Sequence, residues 1–190
     1  MEELGTIALV GSPSSGKSTL FNRLTDEVKE ITGKEFGITR DRNYGTGHWL
    51  DKTFTLIDTG GITQEKIPFQ KEVQNQVELA EKEADLIFFV VDGRVGRSNN
   101  DLFVAEKLRA YKKKVRLIVN KIDDTTRLGN VYDFYSLGLG DPYAISAEHG
   151  LGLGDRLDDA ISRLPKKQVH DYKGSLTFAF SPLRGKSNSS

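Results

Sequence analysis

Gly11-Ser12-Pro13-Ser14-Ser15-Gly16-Lys17-Ser18 stands between an apolar run, Thr6-Ile7-Ala8-Leu9-Val10, and a stretch of helical spacing, Thr19-Leu20-Phe21-Asn22-Arg23-Leu24. Gly-x4-Gly-Lys-Ser between a strand and a helix is the pattern of a phosphate-binding loop. Its two glycines let the backbone curl with the N–H groups turned inward, a nest for the β-phosphate of a nucleotide at a helix N-terminus. Lys17 is expected to reach the β- and γ-phosphates. The Ser18 hydroxyl, in the first helical turn, is placed to coordinate a Mg²⁺ ion bridging their oxygens. Gly11, Ser14, Ser15, Gly16 and Thr19 complete the residues expected around the phosphates.

Outward from this loop, apolar runs alternate with amphipathic stretches. Thr6–Val10, Thr53–Ile57, Leu86–Val91, Val115–Val119 and Tyr143–Ile145 have the composition of strands. Leu86–Val91 and Val115–Val119 are nearly continuous in apolar residues, as strands buried on both faces are. Ile67–Lys82, Asp101–Tyr111 and Asp155–Leu164 have helical spacing, so the order predicts an α/β domain with a mostly parallel, six-stranded sheet and helices on both faces. The sixth strand is Asn43–Leu50, separated from Thr53–Asp58 by Asp51-Lys52 alone. That connection is too short for a parallel crossover and predicts one antiparallel strand.

Composition narrows the class. The 190 residues carry 27 basic and 27 acidic side chains, a balance that gives no reason to expect a DNA-binding surface or a membrane-attracted face. Without cysteine there is neither a disulfide framework nor a thiolate metal site. No apolar run approaches the ~20 residues of a membrane span, and Glu2 and Glu3 stand where a signal peptide would be basic. The expected location is the cytoplasm.

Ligands of open α/β sheets bind at the carboxyl ends of the strands, and three such ends carry informative residues. After Leu56-Ile57 comes Asp58-Thr59-Gly60-Gly61, where Asp58 can approach Mg²⁺ through a water and Gly61 can offer its N–H to a γ-phosphate. After Val119 comes Asn120-Lys121-Ile122-Asp123. A carboxylate at Asp123 can accept from both N1–H and the exocyclic amine of guanine, donors that adenine does not present, while Asn120 fixes the loop. The Lys121 stem is expected to cover the ring with its ammonium in solvent. After Ile145 comes Ser146-Ala147-Glu148-His149-Gly150, with the Ala147 N–H expected on guanine O6. The ligand read from these sites together is GTP or GDP.

The order of these motifs resembles the translation-factor-related branch of P-loop GTPases over roughly residues 5–165. Within that branch, Thr39-Arg40-Asp41-Arg42, Asp58-Thr59-Gly60-Gly61-Ile62, Glu83-Ala84-Asp85, Val90-Val91-Asp92-Gly93-Arg94 and Phe134-Tyr135-Ser136-Leu137-Gly138 resemble the first GTPase domain of the Der family, also called EngA. The resemblance implies the three-layer P-loop GTPase fold and GTP hydrolysis with slow intrinsic turnover. It also implies a tandem of two GTPase domains with a KH-like domain, acting in assembly of the large ribosomal subunit. It implies switch I at Thr32–Asp41, with Thr39 on Mg²⁺ and the γ-phosphate in the GTP state alone, and catalysis centred on Lys17, Thr39 and Gly61. Potassium-assisted hydrolysis is the family habit, helped by a P-loop asparagine; here that position is Ser14, a shorter and weaker ligand. Ile62, where Ras-like proteins carry the water-orienting glutamine, cannot hydrogen-bond through its side chain. These departures leave room for a weakly catalytic nucleotide switch, and an Era-like or tRNA-modification GTPase belongs to the same branch.

Lys112-Lys113-Lys114 is read as the basic end of a helix, favoured by the helix dipole, and Trp49 as a packing residue. Residues 166–174 read as a linker. Ser175–Phe180 followed by Ser181-Pro182-Leu183-Arg184-Gly185-Lys186-Ser187 repeats the end of the phosphate loop, with Phe180 in place of its first glycine. The segment 175–190 is thus either the truncated start of a second GTPase domain or a divergent, disordered tail.

Overall fold

A computed structural model describes residues 2–32, 43–61, 67–111 and 114–167. The strands are β1 (Glu2–Val10), β2 (Tyr44–Trp49), β3 (Lys52–Asp58), β4 (Leu86–Asp92), β5 (Lys114–Asn120) and β6 (Tyr143–Ala144). The helices are α1 (Lys17–Thr32), α2 (Phe69–Glu83), α3 (Asn99–Arg109), the single turn α4 (Leu128–Val131) and α5 (Gly154–Ser162). They build one six-stranded sheet in the order β2-β3-β1-β4-β5-β6. Only β2 runs antiparallel to its neighbour, pairing Tyr44 with Ile57 and Trp49 with Lys52; the other pairings are parallel.

Alternation along the strands feeds two cores. Ile7, Leu9, Leu56, Phe88, Val90 and Ile118 point to one face and pack with Leu20 and Leu24 of α1 and Leu157 and Ile161 of α5. Ala8, Val10, Ile57, Phe89, Val91 and Val119 point to the other, against Val73, Val77 and Ala80 of α2 and Val104 and Leu108 of α3. β4 is therefore buried on both sides, as its unbroken apolar run predicts, and the three-layer α/β architecture follows. Trp49 packs on the first core and its indole N–H donates to Asp158 Oδ1 at 3.2 Å.

Some boundaries differ from the sequence reading. β1 begins at Glu2 rather than Thr6 because the polar Glu2 and Glu3 pair with Lys52 and Thr53 at the edge of the hairpin. α3 ends at Arg109, so the cations of its last turn are Lys107 and Arg109, while Lys114 already opens β5. Lys166, at the head of the stretch read as a linker, bridges to Leu4, and the Lys167 N–H donates to Glu3 O at 3.1 Å. The expectations for Thr39 and the rest of switch I after Thr32, for Ile62, and for 168–190 lie outside the described residues.

Candidate functional site

The apolar register of β1 delivers the chain to Gly11 with its backbone at φ +154°, where an added Cβ would meet the Val90 carbonyl oxygen at 2.3 Å. Pro13–Ser15 form one 3₁₀ turn closed by Gly16 at φ +92°. A Cβ there would stand 2.3 Å from Asn120 Nδ2, so both the conformation and the space call for glycine. α1 starts at Lys17, and the N–H groups of its first turn have no partner within the helix. The curled loop thus presents donors and the positive end of a helix to one point.

Lys17 is buried, and its Nζ donates to Gly11 O at 2.8 Å and Ser12 O at 3.2 Å. An ammonium carries three protons, so one donor remains for an anion. Burial pushes this ammonium below the ordinary lysine range, opposed by the charges of Asp58 and Glu72. A phosphate beside it would restore the charged form. Ser18 Oγ donates to Asp58 Oδ2 at 3.3 Å. This pair of hard oxygens fits a Mg²⁺ ion, which binds proteins through few side-chain oxygens and keeps several waters. Among the described residues no group of three or more His, Cys, Asp or Glu is placed to hold a metal, so an ion here would depend on Ser18, Asp58, water and ligand phosphates. Gly60 N–H donates to Asp58 Oδ1 at 3.1 Å, and Gly61 ends the 3₁₀ turn Thr59–Gly61 beside the loop.

Sequence reasoning misses the support beneath the loop. Gln76 of α2 is buried, and its Oε1 accepts from the Gly11 N–H at 3.0 Å and lies 3.2 Å from Thr59 Oγ1. The Thr59 hydroxyl also reaches Leu9 O at 2.7 Å. A glutamine in an amphipathic helix carries no signal of such a task; only the packing of α2 across the ends of β1 and β3 assigns it.

Residues following β5 and β6 form the second half. Asn120, buried at the end of β5, donates from Nδ2 to Ser15 O and accepts at Oδ1 from the Ala147 N–H, both at 2.9 Å. One amide therefore ties the phosphate loop to the Ser146-Ala147 turn. The Ala147 N–H, expected on guanine O6, is engaged with Asn120 and would have to be shared with a base or yielded to it. Arg23 of α1 holds the same turn by donating to Ala147 O and Glu148 O. Lys121 also departs from expectation: its ammonium is not left in solvent but donates to Ser14 O at 2.6 Å and lies 3.6 Å from Asp92 Oδ2. Burial alone would raise the Asp92 carboxyl, but hydrogen bonds from Arg94 and the charge of Lys121 hold it below the usual range. Asp123 accepts from Ser146 Oγ at 2.7 Å and Arg127 Nη1 at 3.3 Å. Gly16, Thr19, Asn120, Lys121, Asp123, Ser146 and Glu148 line an open cavity between the two halves. Of the described candidates, the phosphate-side and base-side residues are thus brought to one end of the sheet.

Comparison with known proteins agrees with this geometry. A family model described as 50S ribosome-binding GTPase matches residues 6–121. The chain is similar to GTPase Der of Streptococcus suis, 46% identical over 187 residues, and to GTPase Der of Streptococcus pyogenes, 44% identical over the same length. Each match takes in 97% of this chain and 43% of the relative, so the chain spans less than half the length of these proteins. Among solved structures, Era in complex with MgGDPNP and nucleotides 1506–1542 of 16S ribosomal RNA superposes with a TM-score of 0.66 at 25% identity, over 88% of this chain and 59% of that one. The FeoB G-domain of Methanococcus jannaschii superposes with a TM-score of 0.59 at 25% identity, over 85% and 97% of the two chains.

Proposed function

The chain belongs to the 50S ribosome-binding GTPase family, and on that footing we propose that residues 1–165 form a guanine-nucleotide domain that binds GTP and GDP and hydrolyses GTP. The observation that carries this reading is the Asn120 side chain, which joins the phosphate loop at Ser15 to the turn at Ala147. A loop that cradles phosphates and a loop whose Asp123 can read guanine are thereby one rigid unit.

In this reading the N–H groups of the phosphate loop and of the first turn of α1 bind the β-phosphate, and the remaining Lys17 proton faces the γ-phosphate. Ser18 and Asp58 would hold Mg²⁺ together with water and the ligand phosphates, and Thr39 is read as a further ligand in the triphosphate state. When bound, the ion neutralises charge on the β- and γ-oxygens. The Gly61 N–H serves the γ-phosphate, so that hydrolysis would be felt at the start of α2. Asp123 selects guanine, and Lys121 staples the loop over Ser14. With Ser14 exposed and its carbonyl occupied by Lys121, we read hydrolysis as largely indifferent to potassium.

The whole protein's role is read as assembly of the large ribosomal subunit. The family description and the relatives named Der support it. Residues 166–174 are read as a linker that leaves the domain after Lys166 and Lys167 have paired with β1, and 175–190 as either the truncated start of a second GTPase domain or a divergent tail. A second reading is a switch with negligible turnover, favoured by Ile62 where a water-orienting side chain would stand.

The test pairs base exchange with turnover. Asp123→Asn should weaken GDP by roughly tenfold or more and improve xanthosine diphosphate, because an amide offers a donor where the carboxylate accepts. Unchanged GDP affinity would overturn the base assignment. Phosphate release from GTP, followed in sodium and in potassium, should be slow and similar in both; no release in either favours the switch without turnover.

A further inference from the structure

An ionised carboxylate has about four lone-pair sites, two on each oxygen. On Asp123, Ser146 Oγ fills one at Oδ1 at 2.7 Å, and Arg127 Nη1 approaches one at Oδ2 at 3.3 Å. Among the described residues the next ionisable side chain, His149 Nε2, stands 4.0 Å from Oδ1, beyond hydrogen-bond reach. Among the described residues one acceptor site is left on each oxygen. That arrangement matches two neighbouring donors, provided the carboxylate plane lies in the plane of the base.

Arg127 reaches Asp123 from a fixed place. The same Nη1 donates to Lys121 O at 2.7 Å. Lys121 has φ +70°, a left-handed conformation unusual for a residue with a side chain, and its neighbour Ile122 donates its N–H to Ile145 O at 3.0 Å. The 3₁₀ turn that carries Arg127, Thr125–Arg127, is itself capped by Asp124, which accepts from the Thr126 N–H. Arg127 thus pins both the strained peptide before Asp123 and one oxygen of its carboxylate.

We propose that Arg127 is a positioning residue for base selection, holding the Asp123 carboxylate in the plane that lets it accept from two adjacent donors of guanine at once. The inference rests on the guanine-nucleotide reading above. It distinguishes guanine, with N1–H and a 2-amino group, from hypoxanthine, which keeps N1–H and lacks the amine. A single hydrogen bond tolerates rotation of the carboxylate; two parallel ones do not. Loss of Arg127 therefore weakens GDP more than IDP.

Competition titrations of GDP, IDP and ADP against the full chain test this, with Arg127→Met removing the guanidinium while keeping an unbranched apolar side chain. The unsubstituted chain should prefer GDP to IDP, and Arg127→Met should lower the GDP-to-IDP affinity ratio by about tenfold, with ADP excluded in both. A ratio within about twofold of the unsubstituted chain, whether both affinities fall together or neither moves, would overturn the proposal and leave Arg127 a structural residue. Should Arg127→Met fail to fold, as judged by melting without nucleotide, Arg127→Ala is measured against the same ratio. Failure of the unsubstituted chain to bind GDP would instead refute the guanine-nucleotide reading.

Discussion

Gln76 shows how much of a phosphate site can rest on a residue that never faces the ligand. Its amide oxygen takes the Gly11 N–H at 3.0 Å inside the second core, and Thr59 Oγ1 lies 3.2 Å away. Removing it leaves a buried backbone donor unsatisfied, which costs about 1–3 kcal/mol. Gln76→Ala should therefore lower unfolding free energy by about that amount in urea titrations and weaken nucleotide binding as the loop loses its support; unchanged stability would mean water replaces the amide. At this scale the sequence is legible where chemistry is local. Gly16 and Lys17 declare themselves by spacing, whereas Gln76 and Arg23 act through partners 65 and 124 positions away that only folding brings within reach.

Among the elements, α3 is the one whose start is written most plainly. Ser98 accepts from the Asp101 N–H and Asp101 Oδ2 accepts from the Ser98 N–H, both at 3.0 Å, a capping box. Burial raises the Asp101 carboxyl above the usual range although hydrogen bonds from the Ser98 backbone and side chain pull it down. Ser98→Ala should cost about 1 kcal/mol of unfolding free energy and leave nucleotide affinity untouched, since α3 packs on β4 and β5 away from the phosphate loop; a fall in affinity would show that α3 is coupled to the site. Strand identity was readable from period and apolar run, and the β2–β3 hairpin from its short connection. Ends were less so. Backbone pairing at the edge, not side-chain preference, extends β1 to Glu2 and draws Lys166 and Lys167 against it.

For the molecule as a whole, the proposed ligand would add contacts to four segments already tied by single hydrogen bonds: the turn after β1, Asp58 at the end of β3, Asn120–Asp123 after β5 and Ser146-Ala147 after β6. Ligand binding should therefore raise global stability. At one hundred times the dissociation constant the gain is about 2.7 kcal/mol, or a rise in melting temperature of roughly 5–10 °C for a domain of this size. Mg·GDP should give this shift and Mg·ADP should not. Lys17→Met should abolish the nucleotide shift, because it removes the donor left for a phosphate, and should also lower the melting temperature of the nucleotide-free chain somewhat, since the Gly11 and Ser12 carbonyls lose their Nζ donor. A shift retained in Lys17→Met would mean that the phosphate loop is not the binding site. From the sequence by itself came the alternation of buried strands and helices, the antiparallel hairpin, the glycines of the loop and the residue types of the base-reading turn, all set by periodicity and short-range sterics. The tertiary structure alone decided which groups are already spoken for: the Ala147 N–H by Asn120, the Lys121 ammonium by Ser14 and Asp92, and two acceptor sites of Asp123 by Ser146 and Arg127. Hydrogen bonds saturate, and which partner claims a group depends on distances between strand ends that no local pattern encodes.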